Sequence, residues 1–180
     1  NMFNQKTGEW VFHAGPVFAE IVLADEINRA SPKTQSALLE VMEEAQVTVD
    51  GVRRPAPQPF MVIATQNPVE QAGTYPLPEA QLDRFLMKTS IGYPSRSAMI
   101  DVLDGSASPD RSKNLKPLLS GKDIVAWAAL ASANHTDRAV LDYVAALAEA
   151  TREDESSLLG VSTRGAIGMV RCARVWAAAQ

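Results

Sequence analysis

Residues 21–30, IVLADEINRA, constrain the fold more than any other stretch. Apolar residues run almost unbroken from Val17 to Ala24 and stop at two adjacent acids, Asp25 and Glu26. A short, continuous apolar run is the pattern of a strand covered on both faces. A second such run, Phe60 to Thr65, ends at Gln66-Asn67-Pro68. Between the two, Ser31-Pro32 opens a helix, with Ser31 as N-cap and Pro32 in the first helical position. Ala37, Leu38, Val41, Met42 and Ala45 follow at helical spacing. Buried strand, helix, buried strand is α/β grammar, and it predicts a parallel sheet.

Other segments decorate this unit. Residues 1–12 read as a hairpin turning at Lys6-Thr7-Gly8, with Trp10 and Phe12 on one face. Asp50-Gly51 joins QVTV to VRR as a second hairpin. Residues 78–84 predict a short helix and 85–91 a third strand. After Tyr93-Pro94 no strand pattern is visible. Residues 104–117 are polar and turn-rich, as in a connection between units. Three helical patterns follow. Ser120 with Asp123 forms a capping-box signature ahead of Ile124, Trp127, Ala128 and Ala131. Val140, Val144, Leu147 and Ala148 make a second stripe, and a third helix opens at Ser162-Thr163. The expected organisation is an α/β portion at 1–94, a linker at 95–114 and a helical portion at 115–180.

Composition excludes several classes. Apolar residues make up 46% of the 180, enough for a core, and the net charge of −4 is spread among interspersed acids and bases. That is not the basic field of a nucleic-acid binder. Cys172 is the sole cysteine, so it makes no internal disulfide, and with only His13 and His135 besides, a zinc site is not expected. No apolar run is long enough to cross a membrane. Residues 1–18 lack the basic start and apolar block of a secretory signal. The expected location is cytoplasmic.

The two acids then need a purpose. Ligand sites in open α/β sheets gather at the carboxyl ends of strands. Asp25 and Glu26 sit at one such end and Asn67 at another. An aspartate just beyond a strand can hold a water of a magnesium ion, which takes only one or two carboxylates. A neighbouring glutamate can act as general base on an attacking water, and an asparagine can orient that water or touch the γ-phosphate. The simpler alternative is that the acids start a loop and favour the N-terminus of the next helix, with Asn67 a turn residue before proline.

Five motifs in order turn the balance: GPVF at 15–18, IVLADEINRA at 21–30, SPKTQSALLEVMEE at 31–44, ATQNP at 64–68 and GTYPLPEAQLDRFL at 73–86. Together they resemble the MoxR family of AAA+ ATPases, over nearly the whole chain and most densely from Gly15 to Pro94. The resemblance implies a P-loop NTPase core followed by a small helical lid, with ATP and Mg2+ as cofactors. It implies that Asp25 and Glu26 are the Walker B pair, with Asp25 toward the metal. Asn67 becomes the sensor 1 residue and Arg84, in QLDRF, an arginine finger acting on a neighbouring subunit's nucleotide. Arg164, in GVSTRG at 160–165, becomes the sensor 2 arginine. Thr163 stands where family members usually have proline, although Ser162 can still cap the helix. Arg164, Gly168 and Arg171 share one helix face, opposite Met169, Ala173 and Trp176. An exposed basic stripe is ordinarily a solvated face, and Cys172 is expected to be a small buried hydrophobe. The hairpin at 5–12 resembles the helix 2 insertion of this branch. The implied assembly is a ring, a hexamer by analogy. The implied role is chaperone-like maturation of client proteins, often with a von Willebrand A-domain partner.

One family element has no counterpart. A P-loop has the pattern GxxxxGK[ST], and Gly8, Gly15, Gly51 and Gly73 are not followed by it. These residues are then expected to supply part of a nucleotide site, as a piece of a longer polypeptide or as a truncated natural protein. Without the P-loop strand, the sheet is expected to have open edges. Two other readings stay open: a non-catalytic interaction module derived from such a core, and a magnesium-chelatase-like ATPase subunit.

Overall fold

The computed structural model describes residues 2–5, 7–67, 73–105 and 115–180. Its organising element is a two-stranded parallel sheet. Strand β3, Ile21–Ala24, pairs with β6, Met61–Ala64, so that Ile21 faces Met61 and Ala24 faces Ala64. Two antiparallel hairpins flank it: β1 (Met2–Asn4) with β2 (Glu9–Val11), and β4 (Gln46–Val49) with β5 (Val52–Pro55). Both residues of the Asp50-Gly51 turn have positive φ, 51° and 76°. That is the backbone demanded by the tight turns that match strand twist. In the first hairpin Gly8 takes the positive φ, 69°, and the expected turn residue Lys6 lies outside the described residues. The hairpins meet through Phe12, whose ring lies edge-on to Phe18 and carries the Arg54 guanidinium 3.6 Å above its centroid.

Helix α1, Pro32–Glu44, starts where the sequence places it, because the Ser31 hydroxyl accepts the Thr34 N–H at 3.3 Å. It stops at Ala45, whose left-handed backbone (φ 51°) breaks the helical path. The buried stripe differs from the expected one. Ala37 and Ala45 are exposed, while Gln35 and Leu39 are buried and Leu38 and Met42 half-buried. Leu39 packs with Ile27 and Leu77 in the centre of the core, and Ala24, Ala64, Leu82 and Phe85 close around them. The short helix α2, Glu79–Leu82, lies within the expected 78–84.

Two expectations about strands need correction. Residues 85–91 form turns and irregular chain rather than a third strand. A strand needs a neighbour for its N–H and C=O groups, and the parallel sheet of the described residues ends at β3 and β6. The described residues also leave one face of β3 and β6 uncovered. Ile21 and Leu23 are 62% and 65% exposed, and Met61 and Ile63 lie beside them on the same open face. Val22, Ala24, Val62 and Ala64 are half-buried on the other.

The expected linker at 95–114 opens with a helix, α3 (Arg96–Leu103), capped by the Ser95 hydroxyl, while 106–114 lie outside the described residues. Helices α4 (Gly121–Ala133), α5 (Arg138–Glu153) and α6 (Thr163–Ala178) then form the helical portion, with α6 packed on both others. Each has a side-chain cap: Ser120, Asp137 and Ser162. At α4 the capping box is complete, since Asp123 accepts both the Ser120 N–H and its hydroxyl, at 2.7 and 2.6 Å. The Ser120 hydroxyl, then its backbone N–H, hold the Asp123 carboxyl below its ordinary value. Of the expected buried stripes, Ala131 and Ala148 are buried, but Trp127 is exposed.

The loop into α6 is fastened to α5. Val161 donates its N–H to the Thr151 hydroxyl at 2.9 Å and accepts from Arg152 Nε at 3.0 Å. Gly160 lies so close that an added Cβ would stand 2.6 Å from the Arg152 Cα and 2.8 Å from its nitrogen. Backbone cannot yield there as a side-chain tip can. Gly160→Ala is therefore expected to cost about 1–3 kcal/mol through overpacking, read as a lower thermal midpoint. An unchanged midpoint would show that this loop moves independently of α5.

Candidate functional site

The parallel register places the acids before any side chain acts. Because Ala24 faces Ala64, the chain continues with Thr65 N–H donating to the Ala24 carbonyl at 3.0 Å and Ile27 N–H to the Thr65 carbonyl at 2.9 Å. Asp25 and Glu26 thereby lie directly across from Thr65. The Thr65 hydroxyl donates to Asp25 Oδ1 at 2.5 Å and accepts the Glu26 N–H at 2.8 Å. One hydroxyl thus fixes both acids, engaging a single oxygen of Asp25, which is itself exposed.

Glu26 has left-handed backbone, φ 48° and ψ 51°, uncommon for any residue but glycine, and leads into a 3-10 turn at Ile27–Arg29. Such a conformation persists where the surroundings over-determine it. Here the Thr65 hydroxyl holds its N–H, Arg29 pairs with Oε2 at 3.0 Å, and Asn67 Nδ2 donates to Oε1 at 3.4 Å. Asp25, Glu26 and Asn67 therefore share one site at the carboxyl ends of both parallel strands. Pro68, the next residue of the motif, lies outside the described residues.

Two buried amides build the floor of this site, and the sequence reading missed both. Asn28 grips the Asn67 backbone twice: its Nδ2 donates to the carbonyl at 3.1 Å and its Oδ1 accepts the N–H at 3.4 Å. Gln35, 3% exposed, donates to the carbonyls of Ile27 (3.1 Å) and Tyr75 (2.9 Å). Tyr75 in turn donates its N–H to the Asn28 carbonyl at 2.6 Å. A buried amide left unpaired is costly, so these bonds lock the turn after β3, the end of β6 and the 73–78 loop to α1. A glutamine in the first turn of α1, one turn before Leu38 and Leu39 on the same face, was the available signal.

The two arginines form a second group. Arg84 donates to Glu43 Oε2 at 2.6 Å and to the Leu39 carbonyl at 3.3 Å. Arg164 donates to Glu43 Oε1 at 2.7 Å and to Asp83 Oδ2 at 3.4 Å. These contacts join α1, the end of α2 and the start of α6, around a groove of about 690 Å³ that also involves Arg171 and Cys172. The face shared by Arg164, Gly168 and Arg171 borders this groove, with Gly168 buried and both arginines still exposed. At Gly168 an added Cβ would stand 2.9 Å from Leu86. Cys172 is exposed rather than buried, on the wall of the same groove.

The donor set suits magnesium better than a protein-caged ion. Among the described residues no group of three or more His, Cys, Asp or Glu could hold a metal. Two adjacent carboxylates with a hydroxyl and an amide fit a cation that keeps most of its waters and draws its other ligands from phosphates.

Residues 1–87 match the family described as ATPase family associated with various cellular activities (AAA), and residues 149–180 match the AAA lid domain. The YeaC protein of Bacillus subtilis is 46% identical over 98% of this chain and 55% of its own length. Chaperone MoxR1 of Mycobacterium tuberculosis is 41% identical over 96% of this chain and 48% of its own length. The chain thus spans about half the length of the curated relatives it matches. A crystal structure of a candidate ATPase from Cytophaga hutchinsonii superposes with a TM-score of 0.84 at 39% identity, over 98% of this chain and 56% of that one. An α/β core with a parallel sheet, a helical lid and these relatives lead to one conclusion: the chain belongs to the MoxR family of AAA+ ATPases.

Proposed function

We propose that the protein carrying this chain is a magnesium-dependent ATPase that spends ATP on chaperone-like maturation or assembly of client proteins. The observation that carries this reading is the hydrogen-bonded set Asp25–Thr65–Glu26–Asn67 at the ends of β3 and β6. In it, Asp25 would help hold magnesium, and Glu26 takes the proton of the attacking water. Asn67, bonded to Glu26, orients that water. Magnesium, when bound, neutralises charge on the phosphate oxygens. Arg84 serves as the arginine finger and Arg164 as the sensor 2 contact, both stabilising charge on the transferring phosphoryl group.

The same reading assigns 1–94 to the ATPase core, 95–114 to the linker and 115–180 to the lid. It places the protein in the cytoplasm as a ring, a hexamer, in which Arg84 works across a head-to-tail interface. A von Willebrand A-domain protein is the proposed partner; the chaperone name of one relative supports a client protein only. No helix of the described residues is long and apolar enough to cross a membrane. The interspersed charge speaks against a nucleic-acid partner.

Substitutions at three positions test this. Glu26→Gln is expected to keep nucleotide binding and lower kcat on the order of 10²- to 10⁴-fold. Turnover near wild type would remove Glu26 from the base role, and wild-type protein without any magnesium-dependent turnover would favour an interaction module. Arg84→Ala is expected to lower turnover by about 10³-fold with binding largely intact. Mixing it with Glu26→Gln subunits should restore part of the rate if the finger acts in trans, and should restore none if it acts within its own subunit. Thr65→Val removes the hydroxyl that fixes both acids, and should cost roughly ten- to a hundredfold in kcat. Thr65→Ser, which keeps the hydroxyl, should stay near wild type; equal losses in both would make Thr65 a packing residue only.

A further inference from the structure

Glu43 has no role in the reading above, yet it occupies a singular position. Its two carboxylate oxygens are divided between two guanidinium groups: Oε2 takes Arg84 at 2.6 Å and Oε1 takes Arg164 at 2.7 Å. One arginine belongs to the segment after α2, the other to the first turn of α6. Like charges held this close repel unless an anion lies between them, and Glu43 is that anion. Asp83 completes the clasp. It receives Arg164 at 3.4 Å on one oxygen and the Ser162 hydroxyl at 2.6 Å on the other. Ser162 is also the cap of α6, accepting the Gly165 N–H at 2.9 Å, so the helix start is anchored twice to the core.

The clasp leaves unused capacity toward an anion. Among the described residues, the buried Nε of Arg84 has no hydrogen-bond partner. Arg171 adds a third cation to the groove wall. Four charges of the clasp cancel, two arginines against two acids, and each guanidinium keeps donors that a carboxylate cannot engage at once.

We propose that Glu43 is a positioning residue that holds Arg84 and Arg164 side by side, so that they meet one phosphoryl group as a unit. The phosphoryl target rests on the ATPase reading; the way the pair is held rests on the clasp alone. Core and lid are thereby coupled: a shift of α6 moves Arg164, and Arg84 feels it through the shared carboxylate.

The test compares wild type, Glu43→Gln, Arg164→Ala and the double variant of the protein carrying this chain. Steady-state ATP hydrolysis, thermal midpoints and hydrogen exchange across 163–168 are measured on each. Glu43→Gln is expected to lower kcat on the order of tenfold with KM changed less than about threefold and the thermal midpoint nearly unmoved. The double variant should be no slower than the slower single one, because Glu43 acts by pairing the two arginines and Arg164→Ala already leaves no pair to hold. An unchanged kcat would overturn the proposal. So would losses that multiply in the double variant while the midpoint falls, the mark of a merely structural contact. If wild-type protein hydrolyses no ATP, the ATPase reading fails by itself, and hydrogen exchange decides the clasp. Faster exchange at 163–168 in Glu43→Gln upholds it, and unchanged exchange overturns it.

Discussion

Everything in the site hangs on the register of two short parallel strands. Alternation in a strand has period two, so a slip of one residue turns each side chain to the opposite face. With Ala24 opposite Ala64, Asp25 meets the Thr65 hydroxyl and Glu26 leaves the sheet in a left-handed turn toward Asn67. Shifted by one, Thr65 would face away and the two acids would lose their common anchor. Backbone hydrogen bonds, which carry no sequence information themselves, therefore decide whether the acids act as a pair.

The register is in turn defended by polar groups inside the core. Asn28 and Gln35 are the buried polar residues among those described, and both spend their amides on backbone rather than on other side chains. Buried amides tolerate few alternative arrangements, because each lost bond exposes the full cost of desolvation. The apolar cluster of Ile27, Leu39 and Leu77 supplies the burial, and the amides supply the uniqueness. This division explains how a positive-φ glutamate is held in place without glycine.

The catalytic motifs assigned by resemblance separate in space into two groups with different supports. Asp25, Glu26 and Asn67 are held by strand ends and a threonine; Arg84 and Arg164 are held by Glu43 and Asp83 between core and lid. The first group lies on the core alone, while the second draws Arg84 from the core and Arg164 from α6.

Much of this was legible from residue order alone. The two apolar runs named β3 and β6, Asp50-Gly51 named a hairpin, and Ser31, Ser120 and Ser162 named three helix starts, because caps and turns are local and each depends on a few neighbouring residues. The ordered motifs around Asp25, Asn67 and Arg84 named the family. What the sequence could not determine was any pairing between distant residues. It placed a strand at 85–91, where no partner strand stands among the described residues, and buried Cys172, which is exposed. It passed over Thr65, Asn28 and Glu43, since a hydroxyl, an amide and one acid among several acquire meaning only when register and helix packing bring their partners within bonding distance. Local chemistry was written in the chain; the sharing of one hydroxyl by two acids, and of one carboxylate by two arginines, was decided by tertiary structure, because only folding sets those distances.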